Sequence, residues 1–308
     1  MTTATPRIVI GIPVYNGGDL LAKTIESILN QTFSDFQLII SDNASTDNTE
    51  KICRTYASQD TRIEYIRQPE NLGMAPNFNF VFRPGDAPYF KWAAHDDIIK
   101  PDYLSHCIEL LDNDPSLTLA HCPTLRIDEH GNELGIYRDL TLAGDRISER
   151  FWRVLWTINI YEIYSVMRSD AVAKAKPAGS YFGSERNILT DVLLQGNIAY
   201  LDESLFARRD HKGALTSMHI ESKEQDNFEQ RQAVHAPKAK KMSSAQASAL
   251  RFKEYLASIL RLPIPFNERL ACLQVLLDWG LKRALEGVTG AGEKYRQELY
   301  ATQVNQEA

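Results

Sequence analysis

The sequence predicts an α/β fold: a mostly parallel central sheet flanked by helices, with a helical extension at the carboxyl end. Three observations carry that prediction. Over the first hundred residues, short apolar runs alternate with helix-periodic stretches, the pattern of a largely parallel α/β sheet. The runs are nearly unbroken in apolar character, as strands buried on both faces require. Beyond residue 213 the composition turns polar, and two long amphipathic stretches follow.

Taken in order, "RIVIGIPV" (7–14) is the first strand and "DLLAKTIESILNQ" the first helix, with Leu20, Leu21, Ile25, Ile28 and Leu29 at helical spacing. "FQLIIS" (36–41) is the second strand. The "DNASTDNTEKICRTYASQD" stretch gives a polar loop and a helix, with Asp47 and Glu50 spaced as a capping box. "RIEYIRQ" is a third strand, "NLGMAPNFNFVFRPG" a loop and short helix, and "APYFKWAA" a fourth strand, after which Pro101 opens a helix. "SLTLAHCPTLRID" with "EHGNELG" reads as a strand running into a hairpin turn. "RISERFWRVLWT" is a helix, "IYEIYSVMR" a strand, and "ERNILTDVLLQG" a helix closed by Gly196 as its C-cap. "NIAYLDESLFARRDH" reads as one strand ending in charges. "SALRFKEYLASILRLP" and "NERLACLQVLLDWGLKRALEG" are the two terminal helices.

Bulk properties exclude some functions. The 308 residues are 44% hydrophobic and 24% charged, ordinary for a globular protein. A net charge of −6 provides no global basic field for nucleic-acid binding. "MTTATPRIVIGIPVYNGG" lacks the basic start and long apolar segment of a signal peptide. No uninterrupted apolar stretch reaches bilayer-spanning length. Cys53, Cys107, Cys122 and Cys272 lack metal-type spacing and read as buried, reduced thiols in a cytoplasmic protein.

Ligands of such sheets gather at the carboxyl ends of the strands. Here those ends are "PVYN", "SDNAS", "RQPENLG" and "HDD". Asp96 and Asp97 stand side by side at one of them, where two carboxylates repel unless a cation offsets the charge. A hard divalent ion, Mg²⁺ or Mn²⁺, bridging to a phosphate meets that need. "IGIPVYNGG" has neither the dinucleotide fingerprint nor a P-loop. Pro13, Tyr15 and Asn16 offer instead a rigid turn, an aromatic face for a nucleobase, and an amide. Asp42 is placed to accept a hydrogen bond from a base or ribose, whereas Asp47 reads as a helix N-cap.

"IVIGIPVYNGGDLLAKTIESILNQTFSDFQLIISDNASTDNTEKI", "NLGMAPNFN" and "HDD", in that order, resemble the nucleotide-binding half of family 2 inverting glycosyltransferases, which have the A-type glycosyltransferase fold with a Rossmann-like half. The resemblance is strong over residues 6–112 and extends to "GSERNILTD" and "RRDH", near 211. It implies a catalytic domain over 1–215, with a nucleotide-sugar-binding half (6–112) and an acceptor half (113–215). A polar linker (216–246) and a helical extension (247–308) would follow. It also implies a nucleotide-sugar donor, UDP-linked in the first instance, a divalent metal, and a saccharide or lipid-linked saccharide acceptor.

Residue by residue, the resemblance places Pro13, Tyr15 and Asp42 around the base and ribose. It places Asn71, Gly73 and Asn77 on the loop that approaches the donor. Asp96 and Asp97 match the family's D-x-D metal motif, with His95 standing where the first Asp would be. Asp97 is then the metal ligand, and Asp96 faces the donor. Glu185, at a helix start, is the first candidate for the base that deprotonates the acceptor, and Asp191 the second. Arg208 and Arg209 are candidates for phosphate contacts and His211 for the metal or the diphosphate. A nucleotidyltransferase reading wants a basic residue in the first loop, and "PVYNGGDLL" has none. A non-catalytic binding protein is the other alternative. The stripe Leu250, Tyr255, Leu256, Ile259 and Leu260 fits packing on the catalytic domain, a second subunit, or the inner face of a membrane.

Overall fold

The structure, a computed structural model, describes residues 5–137, 142–157, 159–181, 183–211 and 243–289. The expected polar linker lies almost wholly outside the described residues, as does the end of the extension. The chain runs β1 (Ile8–Val14), α1 (Gly18–Leu29), β2 (Phe36–Asp42), α2 (Thr49–Gln59), β3 (Ile63–Arg67), α3 (Met74–Phe80), β4 (Tyr89–Trp92), β5 (Ile98–Ile99) and α4 (Tyr103–Asn113). It continues through β6 (Leu117–His121), β7 (Thr124–Ile127), β8 (Glu133–Tyr137), α5 (Ile147–Trp156), a 3₁₀ turn (Tyr161–Tyr164), β9 (Val166–Arg168) and α6 (Ser169–Lys174). Next come α7 (Glu185–Leu193), β10 (Asn197–Tyr200), β11 (Phe206–Arg209) and the two terminal helices, Ser244–Arg261 and Phe266–Thr289.

The main sheet has the order β10-β6-β9-β4-β1-β2-β3, parallel except for β9, which runs antiparallel between β4 and β6. The chain builds outward from β1 to β3 and then returns to place β4 on the other side of β1. A crevice therefore opens at the carboxyl ends of β1 and β4, the switch point where such sheets bind ligands. β1 is buried on both faces, and its residues divide between two cores. Ile8, Ile10 and Ile12 pack with Leu21 and Ile25 of α1 and with Leu104 and Ile108 of α4. Val9 joins Phe78, Trp92, Phe151 and Leu189 on the opposite face. Period-2 alternation assigns the faces, and burial of both explains the unbroken apolar run.

A smaller sheet, β5-β11-β7-β8, closes the carboxyl edge. β5 begins one residue after Asp97, and β11 pairs with it antiparallel, Ala207 opposite Ile98 and Phe206 opposite Ile99. That register carries the end of β11 back past the two acids.

Four local expectations are corrected. The "IYEIYSVMR" stretch is strand only over β9, because its first half winds into the 3₁₀ turn. "NIAYLDESLFARRDH" is two strands in different sheets, broken at Asp202 and Glu203. Gly196 is no left-handed cap: a Cβ there would stand 2.6 Å from the Ser116 carbonyl, so glycine serves close backbone approach. Asn48, not Asp47, is the N-cap of α2. Asp47 accepts from the Thr49 amide and, across the loop, from the Gly18 amide, so it pins two strand-end loops together.

The terminal helices belong to the core. Tyr255, Ile259, Cys272, Leu276 and Trp279 are buried with Phe151 and Val154 of α5. A capping box between Ser243 and Gln246 starts the first of them. All four cysteines are buried free thiols, and among the described residues no helix is long and apolar enough to cross a membrane.

Asp191 is part of this docking. Its carboxylate has no exposure, and Oδ2 accepts the Arg261 guanidinium at 2.6 Å and the Lys176 amide at 2.8 Å. Burial pushes the Asp191 carboxyl above its usual range, against these hydrogen bonds and the Arg261 charge. Arg261→Leu should destabilise the fold by about 1–2 kcal/mol in urea unfolding at neutral pH, less than for a fully buried pair because Arg261 is partly exposed. A carboxyl whose folded pKa is raised costs stability as pH climbs past its unfolded value. The deficit of the variant should therefore shrink in acid, where Asp191 is protonated in both states.

Candidate active site

The fourth strand ends in a hydrophobic floor. Trp92 stacks on Phe78 at 4.6 Å and donates its indole N–H to the Phe78 carbonyl. The chain then leaves the sheet and delivers Asp96 and Asp97 at the mouth of the crevice. Both are held from β11. The Arg209 amide donates to Asp97 Oδ1 at 3.0 Å, and the Arg209 guanidinium donates to the Asp96 carbonyl. That guanidinium is wholly buried and also donates to the carbonyls of Asp128 and Glu129. Arg209 is thus a clamp on the acid-bearing loop, and its charge is not presented to a phosphate.

His211 Nε2 lies 2.8 Å from Asp96 Oδ2. Burial would raise the Asp96 carboxyl, but this hydrogen bond and the charges of His95 and His211 outweigh it and hold the group low. Asp97 goes the other way. Burial, then the neighbouring Asp96, push its carboxyl up, against the Arg209 amide and the charges of Arg208 and Lys91. The adjacent carboxylates thus have divided environments, one held as the anion and one in which burial and its neighbour outweigh the nearby positive charges.

A divalent cation fits this donor set. Among the described residues no group of three His, Cys, Asp or Glu side chains forms a complete metal cage. Mg²⁺ and Mn²⁺ bound with a diphosphate need only one or two protein carboxylates, and at Asp97 burial and Asp96 outweigh the positive charges of Arg208 and Lys91. Asp97 would be the ligand, with His211 at the margin of the same cluster.

Sequence reasoning missed the support beneath the acids. Lys91, wholly buried in β4, donates to the Tyr164 carbonyl and lies 5.0 Å and 5.4 Å from the ring centres of Tyr103 and Phe206. Burial pulls its ammonium down to about 8, against the charge of Asp97. A cavity of about 10 Å³ bordered by Lys91, Asp97 and Thr24 leaves about one water's space between them. A lysine inside "YFKW" carries no periodic signal, since every residue of that strand is buried.

At the other strand ends, Tyr15 is 45% exposed beside the crevice. Pro13 lies past the stretch where β4 pairs with β1, opposite Ser41 of β2. Asn16, at φ 53°, accepts from the Thr46 amide and donates its own amide N–H to Ser45, so its role is to join the first two loops. Asp42 is fully buried: Oδ1 accepts the Ser45 amide, and Oδ2 accepts the Tyr65 hydroxyl and Arg67. The carboxylate thereby orients Arg67, a partly exposed cation that the sequence reading did not single out. Asn43, also missed, donates to Asn71 Oδ1 and the Gly73 carbonyl, while its Oδ1 accepts the Leu72 amide. Gly73, at φ 87°, permits the turn into α3. Asn77 is buried against Ser41, bonded to its hydroxyl and carbonyl, and braces this loop from behind.

Glu185 begins α7, and Arg208 is ion-paired with Asp210 at 2.5 Å while lying over the Tyr161 ring. Burial first, then the charges of Asp97, Asp96 and Glu185, push the Tyr164 hydroxyl far above its usual range. The charge of Glu185 therefore acts on the same hydroxyl as the charges of both acids. Asp191, turned to Arg261, is not brought to them.

Fold and site together define an α/β protein whose acid pair sits at a topological switch point. The chain belongs to glycosyl transferase family 2, whose model matches residues 9–171, just over half of its length. It is 32% identical over 133 residues to an uncharacterized glycosyltransferase of Rickettsia typhi, covering 43% of this chain and 41% of that one. It is also 32% identical over 127 residues to chondroitin synthase of Escherichia coli, covering 41% of this chain and 18% of that one. The matched region thus spans less than half of these relatives. In fold it is similar to S. aureus TarS 1–349 in complex with UDP-GlcNAc, with TM-score 0.55, 15% identity, and 89% and 80% of the two chains covered. It is likewise similar to the mannosyltransferase PcManGT of Pyrobaculum calidifontis in complex with GDP-Man and Mn²⁺, with TM-score 0.53, 14% identity, and 98% and 85% covered. The fold is that of the A-type glycosyltransferases.

Arg209→Met should remove one guanidinium from three carbonyls while leaving the backbone bond to Asp97 possible. The expected cost is about 2–3 kcal/mol in urea unfolding, and a loss of activity larger than that of Arg126→Met on the neighbouring strand. Equal activities would assign Arg209 to packing alone.

Proposed function

We propose that the protein is an inverting glycosyltransferase that moves a sugar from a nucleotide-diphosphate donor, taken here as a UDP-sugar, to an acceptor hydroxyl. The observation that carries the reading is the acid pair at the β1/β4 switch point, with Glu185 at the start of α7 near enough for its charge to act on the same Tyr164 hydroxyl as theirs. Tyr15 would stack on the base, with Arg67, oriented by Asp42, at its edge. Asn71 and Gly73 would line the donor loop, with Asn77 behind it. Asp96, held anionic by His211, would hydrogen-bond the donor's ribose or sugar.

Inversion requires attack from the face opposite the leaving group. Glu185 would accept the acceptor's hydroxyl proton as its oxygen bonds to the anomeric carbon, and the bond from that carbon to the diphosphate oxygen would break. Arg208 lies close enough to Asp97 for its charge to act there, and would favour the negative leaving group. A divalent ion on Asp97, with His211 beside it, supplies Lewis-acid neutralisation of that group when bound. No covalent enzyme intermediate is needed.

Three experiments test this reading. A thermal-shift panel of UDP-, GDP- and other nucleotide-sugars with and without Mn²⁺ should show the largest shift for a UDP-sugar with Mn²⁺. Tyr15→Ala should weaken nucleotide binding about tenfold, the worth of one stacked base. A larger shift with a GDP-sugar would reassign the base. Glu185→Gln should keep donor affinity and lower kcat by about 10²–10⁴-fold. If Asp191→Asn does so while Glu185→Gln does not, the base is misassigned.

A further inference from the structure

A strand buried on both faces ordinarily carries apolar residues, yet β4 holds Lys91, which is 1% exposed. A buried ammonium is costly unless its charge and its three N–H donors find partners. The Tyr164 carbonyl accepts one donor, and the rings of Tyr103 and Phe206 lie near the charge. Among the described residues no carboxylate makes direct ion-pair contact with it. Burial keeps the nearby Cys107 and Cys122 thiols protonated, well above their usual range. Burial, then the charge of Lys91, keeps the His121 ring neutral. Asp97 is the carboxylate whose charge acts on the ammonium.

The cavity of about 10 Å³ has both Lys91 and Asp97 on its wall. Thr24 and Ser27 complete its polar lining, which gives enough partners for the one water it has room for. Asp97 Oδ1 takes the Arg209 amide, and Oδ2 has no hydrogen bond among the described residues. From α1, the Thr24 hydroxyl donates to the Asp97 carbonyl at 2.8 Å and fixes the backbone beside the cavity. We propose that Lys91 is a positioning residue for Asp97, a built-in counter-ion that engages the carboxylate through one water in this cavity. A divalent ion at the acid pair must then compete with it. The pairing stands without the metal reading given above, whereas the competition rests on it. Removing Lys91 favours a divalent ion over the proton that also seeks this carboxylate, because the ion carries twice the charge.

Two measurements on the full chain test this. In a urea-unfolding cycle, Lys91→Met should be at least about fivefold less favourable to the folding constant with Asp97 present than in the Asp97→Asn background. A lysine that serves only the Tyr164 carbonyl gives no such coupling. If Lys91→Met does not fold, Lys91→Gln takes its place in the cycle. In calorimetry with UDP present, Lys91→Met and Lys91→Gln should each bind Mn²⁺ at least about threefold more tightly than the wild type. Lys91→Gln keeps a donor for the Tyr164 carbonyl and loses the charge. Absence of coupling in the cycle overturns the pairing. Mn²⁺ affinity that is not raised in both variants overturns the competition. A wild type that binds no Mn²⁺ with UDP overturns the competition together with the metal reading, while the cycle still decides the pairing.

Discussion

Two carboxylates on consecutive residues, drawn out of water at the end of a core strand, repel each other, and the structure around them is arranged to hold them there. Arg209 supplies most of the restraint. Its amide takes one oxygen of Asp97, and its guanidinium takes the carbonyl of Asp96 and two carbonyls of the Asp128–Glu129 turn. His211 takes the side chain of Asp96. Lys91 lies beneath, a buried cation whose ammonium is pulled down by the same burial that pushes Asp97 up. This neutralisation is uneven, because a stabilised anion at Asp96 is set beside a carboxyl at Asp97 whose burial and acidic neighbour outweigh the charges of Arg208 and Lys91.

The small second sheet makes this possible. Pairing β11 against β5 brings residues more than a hundred positions away in sequence back onto the acid loop. The later part of the chain thus reaches the acid loop through backbone register, which positions atoms more rigidly than a loop contact does. On the far side of the main sheet, the terminal helices lock α7 through Asp191 and Arg261. The helix that carries Glu185 is therefore fixed at both of its faces, by the core and by the extension.

Elements with strong local signals were legible in the sequence. The buried strands β1 and β2, the alternation through β4 and the acids at the switch point all followed from apolar runs and polar ends. The failures share one physical origin, in that they depend on partners distant in the chain. Asp42 reads as a ligand-facing acid until Tyr65 and Arg67 are seen on its oxygens. Arg209 reads as a phosphate contact until the three carbonyls it serves come together. Asp191 has helical spacing suited to a base, and only the docking of a helix seventy residues later turns it to Arg261. Lys91 is silent in any pattern, because a doubly buried strand has no alternation to violate. The family resemblance placed the acids and Tyr15 on the crevice, but it could not separate residues that face a donor from those that brace the loops.

The most direct test of the account is calorimetric titration of Mn²⁺ in the presence of UDP, for the wild type and for Asp97→Asn. If Asp97 is the carboxylate left for a cation, the wild type should bind Mn²⁺ with UDP present, and the variant should lose that binding while its thermal unfolding stays close to wild type. Equal Mn²⁺ affinity in the two proteins would contradict the account, and the raised carboxyl at Asp97 would then be a structural feature of the clamp alone.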